Sequence, residues 1–563
     1  MIQVNDTVPN LFKISASINR TEIKKGNAFK DEIYKGKPLV YLLINNTNKK
    51  IYIGETKDVQ TRMKKHLADD KKDFKEVYLI TSDYFHKSSI YDIETLLIDH
   101  ITGDGKYKVL NSKINQNGDD YTDNEMVRNN LFPQIWKELL SLGIVDNELE
   151  EVENLISFKY SPFKKLSIEQ NIVCSEIIQR VVDIDKERLE NSVVRGIPSR
   201  FLIHGDPGTG KSMVITATIN QLVKIYGMNP EKIAIVVPQS HLRKAISSVY
   251  KTLALRTVKV FTPSEFINHS KKYDLVFVEE SHRLKEFFAK QAKDLKHLQI
   301  KDTEGKIIGT TNELEIIETH SQHLVCVYDK FQFVRPADIN EETFQALTAN
   351  YEQLSLTQQF RMKTSKYFLQ WLRSLLQIEN KNVYTGNIEL GNYELDVLDS
   401  ISELHQKIKN KDQEVKLSRM VSGYSREWIS KKNPSLYDFE EPEHDYKAQW
   451  NTTIENWSNT ETAIREIGCI HTTQGIDLNY VGVIIGKDIY YNEETGKIMA
   501  NRKNYHDRNG STIIKEDTTN NELLEYIKRI YYVLLTRGIQ GCFLVVEDPA
   551  LKKYIKYKIE EIK

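Results

Sequence analysis

The run Gly205-Asp206-Pro207-Gly208-Thr209-Gly210-Lys211-Ser212 constrains this chain more than any other segment. It follows an apolar stretch, Phe201-Leu-Ile-His204, and opens a helical pattern from Ser212 to Val223. Glycines at this spacing let backbone N–H groups curl around a phosphate at the positive end of a helix. The lysine then reaches the β and γ oxygens, and the following hydroxyl takes Mg²⁺. A strand, loop and helix in this order belong in a parallel sheet covered on both faces.

The residues after Leu166 continue that pattern. Ile233-Ala-Ile-Val-Val237, Leu275-Val-Phe-Val278 and Leu324-Val-Cys-Val-Tyr328 are apolar β runs separated by helical stretches. Val481-Gly-Val-Ile-Ile485 and Cys542-Phe-Leu-Val-Val546 begin a second set, with Ile530 to Leu535 read as helix. Polar stretches near 286–320, 395–455 and 488–520 read as insertions.

The first part of the chain has another style. Leu39-Val-Tyr-Leu-Leu-Ile44, the turn cluster Asn45-Asn-Thr-Asn48 and Lys50-Ile-Tyr-Ile-Gly54 predict a hairpin. Val59 to Leu67 reads as a basic helix. Ile90, Ile93, Leu97 and Ile101 have the spacing of a second helix. The expected division is an N-terminal extension (1–32), a small α/β domain (33–125), a helical connector (126–165), and two parallel-sheet domains (166–345 and 346–563).

Bulk composition adds limits. With 563 residues the chain needs several cores. No apolar run has the length of a membrane span, and the start lacks the pattern of a secretory signal. Cys174, Cys326, Cys469 and Cys542 are dispersed and form no Cys-x-x-Cys pair. A soluble protein of a reducing cytoplasm is the expectation, with no membrane partner and no reading of oligomeric state. The net charge of −1 gives no general attraction for phosphate backbones. Between Lys35 and His66, however, eight Lys and Arg stand against two acidic residues.

Hydrolysis of a bound triphosphate needs a metal-holding carboxylate and a group to orient water. Tyr273-Asp-Leu-Val-Phe-Val-Glu279-Glu280-Ser-His-Arg-Leu284 supplies two carboxylates at the end of a strand. Glu279 would sit on the metal side and Glu280 would serve as the base. Cations arriving from a second domain would stabilise charge on the γ oxygens, and Arg361 and Arg537 suit that task.

The order of these motifs resembles the superfamily 1 helicases, and within them the Schlafen-type ATPases, over roughly residues 160–563. Glu279-Glu-Ser-His-Arg-Leu284 is similar to that family's Asp-Glu-Ala-His-Arg-Leu. Glu279 stands where the family usually has Asp, which moves the carboxylate by the length of one methylene. Ser167-Ile-Glu-Gln170 resembles the adenine-reading glutamine motif. Tyr328-Asp329-Lys-Phe-Gln332 resembles an Asp-x-x-Gln whose glutamine senses the γ-phosphate. Leu356-Thr-Gln-Gln-Phe-Arg361 resembles the element whose arginine meets that phosphate. Thr472-Thr-Gln-Gly-Ile-Asp-Leu-Asn-Tyr-Val481 resembles the Gln-Gly motif that couples nucleotide to strand binding. Tyr531-Tyr-Val-Leu-Leu-Thr-Arg537-Gly538 resembles the last motif, which makes Arg537 the arginine finger. The fold implied is a pair of RecA-like domains, and the cofactors implied are ATP and Mg²⁺.

The hairpin, with Leu39-Val40-Tyr41 and Tyr52-Ile53-Gly54, resembles the GIY-YIG nucleases. The resemblance implies that Arg62 holds the scissile phosphate and that Glu94 holds a divalent metal, Mg²⁺ or Mn²⁺. It implies that Tyr41 and Tyr52 activate or place water, and that Asn111 supports the site. Asn115 competes for that supporting place, and Leu110 favours Asn111 by anchoring it. His66, four residues after Arg62, shares its helical face but has the weakest claim. The chemistry agrees, because phosphodiester cleavage needs a proton acceptor, a cation on the phosphate and a metal or acid for the leaving oxygen.

A nuclease joined to an ATP-driven motor implies work on nucleic acid, with DNA as the expected partner. The plan resembles bacterial anti-phage nuclease–helicases of the Nhi type, and the Lys, Asn and Ile-rich composition fits an AT-rich bacterial genome. Two other readings stay open at this point. One is a nucleic-acid-stimulated ATPase whose first domain only binds. The other is a regulatory ATPase acting on protein partners.

Overall fold

Leu39–Asn45 is an unbroken run of residues that pack well in strands, and every one of them is buried. It pairs antiparallel with Lys50–Thr56 to form the expected hairpin, which places Tyr41 opposite Gly54. The computed structural model describes residues 12–15, 17–24, 36–68, 73–111, 121–155, 158, 161, 166–239, 242–244, 246–247, 250, 255–269, 271–287, 293, 295–334, 338–378, 388–453, 457–473, 476–507 and 520–563, except 191–197. The chain falls into two compact units. The first comprises residues 1–171 with 212–225 and 245–257, and the second comprises the remainder.

In the first unit the hairpin is extended by Glu76–Thr81 on one side and by Lys108–Val109, parallel, on the other. Lys13–Ile14 and Ile18–Asn19 also pair with Glu76–Thr81. Part of the expected N-terminal extension is therefore edge structure of this sheet. Two-residue strands carry too little pattern to be read in advance. The helix Val59–Leu67 begins at Asp58, whose side chain accepts from the Thr61 N–H. The second helix, Lys87–Asp104, ends at Gly105 in a left-handed conformation.

The expected connector belongs to the same core. Phe132–Ser141 carries Pro133 in its first turn and buries Phe132, Ile135, Trp136 and Leu139. The Phe132 and Trp136 rings lie 4.8 and 5.7 Å from the His100 ring of Lys87–Asp104. Burying rings of this size contributes about 2–3 kcal/mol each. Helix Phe132–Ser141, inside the expected connector, thus packs against the small domain.

The second unit contains two large sheets. The first runs Glu352–Leu356, Arg200–Gly205, Ser321–Tyr328, Tyr273–Val278, Ile233–Val236 and Lys259–Phe261, all parallel. Its first strand lies beyond the expected boundary at 345. Glu352–Leu356 buries only Leu354 and Leu356, so it lacks the continuous apolar run that marks the inner strands.

The second sheet runs Glu394–Val397, Gly538–Val546, Leu478–Ile485, Arg419–Ser422, Glu466–Cys469, Tyr446–Trp450 and Phe439–Glu441. Its pairs are parallel except the last. Four of these strands come from the stretch 395–455 or its edge, which the sequence suggested was an insertion. Their short length and mixed polarity hide them. Stretches 286–320 and 488–520 do hold small two-stranded sheets, Gln299–Lys301 with Ile307–Thr310 and Ile489–Asn492 with Lys497–Ala500. The helix expected at Ile530 to Leu535 is the last part of a longer one, Asn520–Leu535. The fold class is α/β as read. Among the described residues no helix is long and apolar enough to cross a membrane. The four cysteines are free and buried.

Candidate functional sites

The hairpin and the basic helix converge on Tyr41. Its hydroxyl accepts from Arg62 Nε at 2.9 Å and lies 2.8 Å from His66 Nε2. The Tyr52 ring stands edge-on to His66 at 5.2 Å and 6.3 Å from Tyr41. With Arg62 donating into the phenol oxygen, the phenol proton is available to His66 in the tautomer that carries hydrogen on Nδ1. His66 is buried. The histidine that sequence reasoning ranked lowest therefore lies inside the cluster, because its partner Tyr41 comes from another element.

Burial raises the pKa of Tyr41, with Tyr52 adding to it and Arg62 opposing it. Burial likewise raises Tyr52, against Arg62. The charge of Glu94 raises both tyrosines, so this buried carboxylate is part of the same field. Burial pulls Arg62 down, but the hydrogen bond it donates to Tyr41 and the charges of the two tyrosines outweigh it and leave Arg62 above its ordinary value. The phenols are thus neutral and the guanidinium charged at physiological pH.

Gly54 faces this cluster. A Cβ at that position would overlap the Tyr41 hydroxyl and its ring carbon. Leu39, which departs from the glycine of the family tripeptide, sits fully buried in a regular strand. Nothing in that extended backbone requires glycine. Asn111 makes two bonds to one residue: its Oδ1 accepts from the Ile53 N–H at 3.1 Å, and its Nδ2 donates to the Ile53 carbonyl at 2.8 Å. Its support is given to the backbone between Tyr52 and Gly54. Asn115 lies outside the described residues. Nearby on the Glu94 helix, Asp92 receives both Nε and Nη2 of Arg128, at 2.7 and 2.9 Å, and the Tyr121 hydroxyl at 3.1 Å. No local signal marked that triad.

In the second unit, Gly205 through Lys211 form a tight loop. Thr209 Oγ1 donates to the Asp206 carbonyl at 2.9 Å, and Lys211 Nζ donates to the carbonyls of Gly205 at 2.6 Å and Asp206 at 3.1 Å. Gly208 and Gly210 hold φ of +83° and +80°, where other residues are strained. A Cβ on Gly208 would also stand 2.5 Å from Arg361 Cβ. Pro207, at the same turn, is buried. Ser212 sits in the first turn of helix Lys211–Lys224.

Glu279 and Glu280 directly follow the strand Tyr273–Val278. Glu280 holds a left-handed backbone, φ +47° and ψ +46°, and such strain gathers at functional sites. Its carboxylate lies 3.1 Å from His282 Nε2. Burial raises Glu280, but His282, Lys211 and Arg283 overcome this and bring it down to about 2. Gln332 Nε2 donates to Asp329 Oδ2 at 2.8 Å, which fixes the expected sensor.

The two arginines also converge. Arg361 Nε lies 2.7 Å from Asp477 Oδ1. Arg537 donates Nε to the Val533 carbonyl at 3.0 Å and is almost wholly buried. Burial and then the charge of Arg361 bring its pKa down to about 10, against Asp477, Glu280 and Asp329. Arg537, Arg361 and Glu280 therefore share one charge field that spans both sheets.

Residues 198–548 match the Schlafen group 3, DNA/RNA helicase domain. The chain belongs to that helicase family. Residues 37–103 match the GIY-YIG catalytic domain. This Schlafen-group chain is thus a nuclease-type domain followed by a helicase-type domain with an NTPase site, and such domains bind nucleic acid. It is also 26% identical over 401 residues to an uncharacterized protein of Saccharomyces cerevisiae, a match that covers 63% of this chain and 83% of the relative.

Some expected positions contribute otherwise. Gln170 accepts at Oε1 from the Ser167 N–H at 2.9 Å, while Ser167 Oγ accepts from the Gln170 N–H at 3.2 Å. That is a capping box at the start of helix Ile168–Glu190. In this conformation the glutamine oxygen serves the helix end. Gln474 and Gly475 of the Gln-Gly motif lie outside the described residues. Among the described residues no three His, Cys, Asp or Glu side chains gather as a metal site. Among the described residues, the carboxylate whose charge reaches both tyrosines of the cluster is Glu94. That donor set fits a hard cation that keeps several waters and shares substrate phosphate oxygens.

Proposed function

We propose that this protein is an ATP-driven translocase or helicase joined to a metal-dependent endonuclease, with DNA as its substrate. The observation that carries the motor half is the charge field in which Glu280, Arg361 and Arg537 meet beside Lys211. Lys211 binds the β and γ phosphates, Glu280 orients the attacking water, and Gln332 reads the γ position. Arg361 and Arg537 take up negative charge as the phosphoryl group transfers. With a pKa of about 2, Glu280 stays ionised and acts by orienting water more than by storing its proton. Gly205 to Gly210 cradle the phosphates, and Gln170 takes the adenine edge once released from its cap.

In the nuclease half Arg62 holds the scissile phosphate. Tyr41, with His66 behind it, and Tyr52 place the attacking water. Ser212 and Glu279 would hold Mg²⁺ at the ATP site, and Glu94 would hold Mg²⁺ or Mn²⁺ at the nuclease site. When bound, the cation neutralises phosphate charge and makes water more acidic. A role in bacterial anti-phage defence, in the cytoplasm, rests on the plan of the fusion alone.

The test is the purified chain with labelled single- and double-stranded DNA and RNA, with and without ATP and Mg²⁺, beside Lys211→Ala and Glu94→Ala. Glu94→Ala is expected to stop cutting and keep ATP turnover, whereas Lys211→Ala stops ATP turnover. Normal cutting by Glu94→Ala would remove the nuclease assignment. ATP turnover that ignores every nucleic acid would remove the motor.

A further inference from the structure

Arg373 lies on helix Phe368–Leu375, outside every motif considered so far. It is 6% exposed. One nitrogen, Nη1, stands 3.1 Å from Asp206 Oδ2 and 3.0 Å from the Tyr532 hydroxyl. The guanidinium carbon lies 4.3 Å from the centroid of the Phe331 ring. Phe331 and Tyr532 also meet edge to face at 5.8 Å.

Each of these partners belongs to a different part of the nucleotide site. Asp206 is the second residue of the phosphate loop, and its carbonyl also receives Lys211 Nζ. Phe331 lies between Asp329 and Gln332. Tyr532 lies on helix Asn520–Leu535, five residues before Arg537. A planar cation can meet a carboxylate with its edge and an aromatic ring with its face at once. A lysine ammonium has no planar face to lay on the ring and no second nitrogen to hold that orientation.

We propose that Arg373 is a positioning residue for ATP hydrolysis, setting the phosphate loop in register with the segments that carry Gln332 and Arg537. It acts through Asp206, Phe331 and Tyr532. The inference rests on the ATPase reading above. Catalysis by positioned charges is sensitive to small displacements, so loss of Arg373 should slow turnover more than it weakens binding. A purely structural ion pair would lower stability without separating kcat from KM.

The experiment uses the full chain, Mg-ATP turnover, a fluorescent ATP analogue for binding, and thermal melting. Arg373→Gln is expected to lower kcat at least about tenfold with KM for ATP within about threefold. Arg373→Lys should recover less than about a third of that loss. Asp206→Asn should slow turnover as well, and the double variant with Arg373→Gln should be no slower than the worse single variant. Unchanged kcat in a folded Arg373→Gln, or losses that multiply in the double variant, would overturn the proposal. If Arg373→Gln does not fold, Tyr532→Phe removes one hydroxyl of the cluster and should lower kcat about threefold at constant KM. Unchanged kcat there overturns the proposal equally. Lys211→Ala separates the two levels: wild-type turnover in that variant would reject the ATPase reading itself.

Discussion

Arg361 Nε and Asp477 Oδ1 are 2.7 Å apart, so the arginine assigned to the γ-phosphate is held by a carboxylate of the Gln-Gly segment. Arg537 draws on the same carboxylate while it is repelled by Arg361. Two guanidiniums thus share one principal anion in a mostly buried place.

Asp477→Asn removes that anion and leaves the arginines facing each other. Breaking a buried pair on one side costs about 3 kcal/mol, so the melting temperature should fall by several degrees. Mg-ATP supplies phosphate charge and should raise the melting temperature of this variant more than that of the wild type. Thermal melting with and without nucleotide reads both effects, and equal shifts in the two proteins would contradict the account.

Gly54→Ala should separate the two activities. Its methyl group would overlap the Tyr41 hydroxyl, and the rigid ring must move out of its bonds to Arg62 and His66. Overpacking of this kind costs about 1–3 kcal/mol. DNA cleavage should fall at least about tenfold, while ATP turnover by the same preparation stays near wild type. Cleavage at the wild-type rate would show that the Tyr41 position is not used.

The raised pKa of Tyr41 predicts an alkaline limb. A phenol held neutral by folding contributes stability below its ordinary value of 10.0, and that contribution is lost as pH climbs through the raised value. The stability of the wild type measured by urea denaturation should therefore fall above about pH 10. Tyr41→Phe should flatten that decline. Cutting near neutral pH should show no titration from a tyrosinate.

Glu280 behaves in the opposite sense. Its pKa is lowered from 4.5 to about 2, so its contribution to stability is full above the ordinary value and is lost as pH falls through about 2. ATP turnover between about pH 5 and 8 should show no acid limb from this carboxylate. Glu280→Gln should lower kcat at least about a hundredfold without changing the shape of the profile. A limb near pH 6 that vanishes in Glu280→Gln would contradict the environment described.

Much of this was legible locally. The phosphate loop, the strand before Glu279 and the helix around Arg62 all declare themselves within a few residues of sequence, through turn chemistry or unbroken apolar runs. Glu352–Leu356 and Phe439–Glu441 did not, because edge strands alternate or carry charge. The partners of Tyr41, Arg361 and Arg373 were hidden for another reason. His66, Asp477 and Asp206 are ordinary polar residues until the fold brings them across, and no spacing rule links position 373 to position 206. Lys13–Ile14 and the Phe132 helix read as an extension and a connector because neither reveals which core it completes.

The two bonds from Asn111 to Ile53 carry a consequence for the nuclease sheet. Main-chain pairing from Lys108–Val109 runs beside Lys50 and Ile51, and the Leu110 N–H still reaches the Ile51 carbonyl. At Ile53 a carboxamide stands in for a peptide group, presenting one acceptor and one donor. The strand bearing Tyr52 is thereby sealed against a foreign chain at the place where an open ladder would invite one.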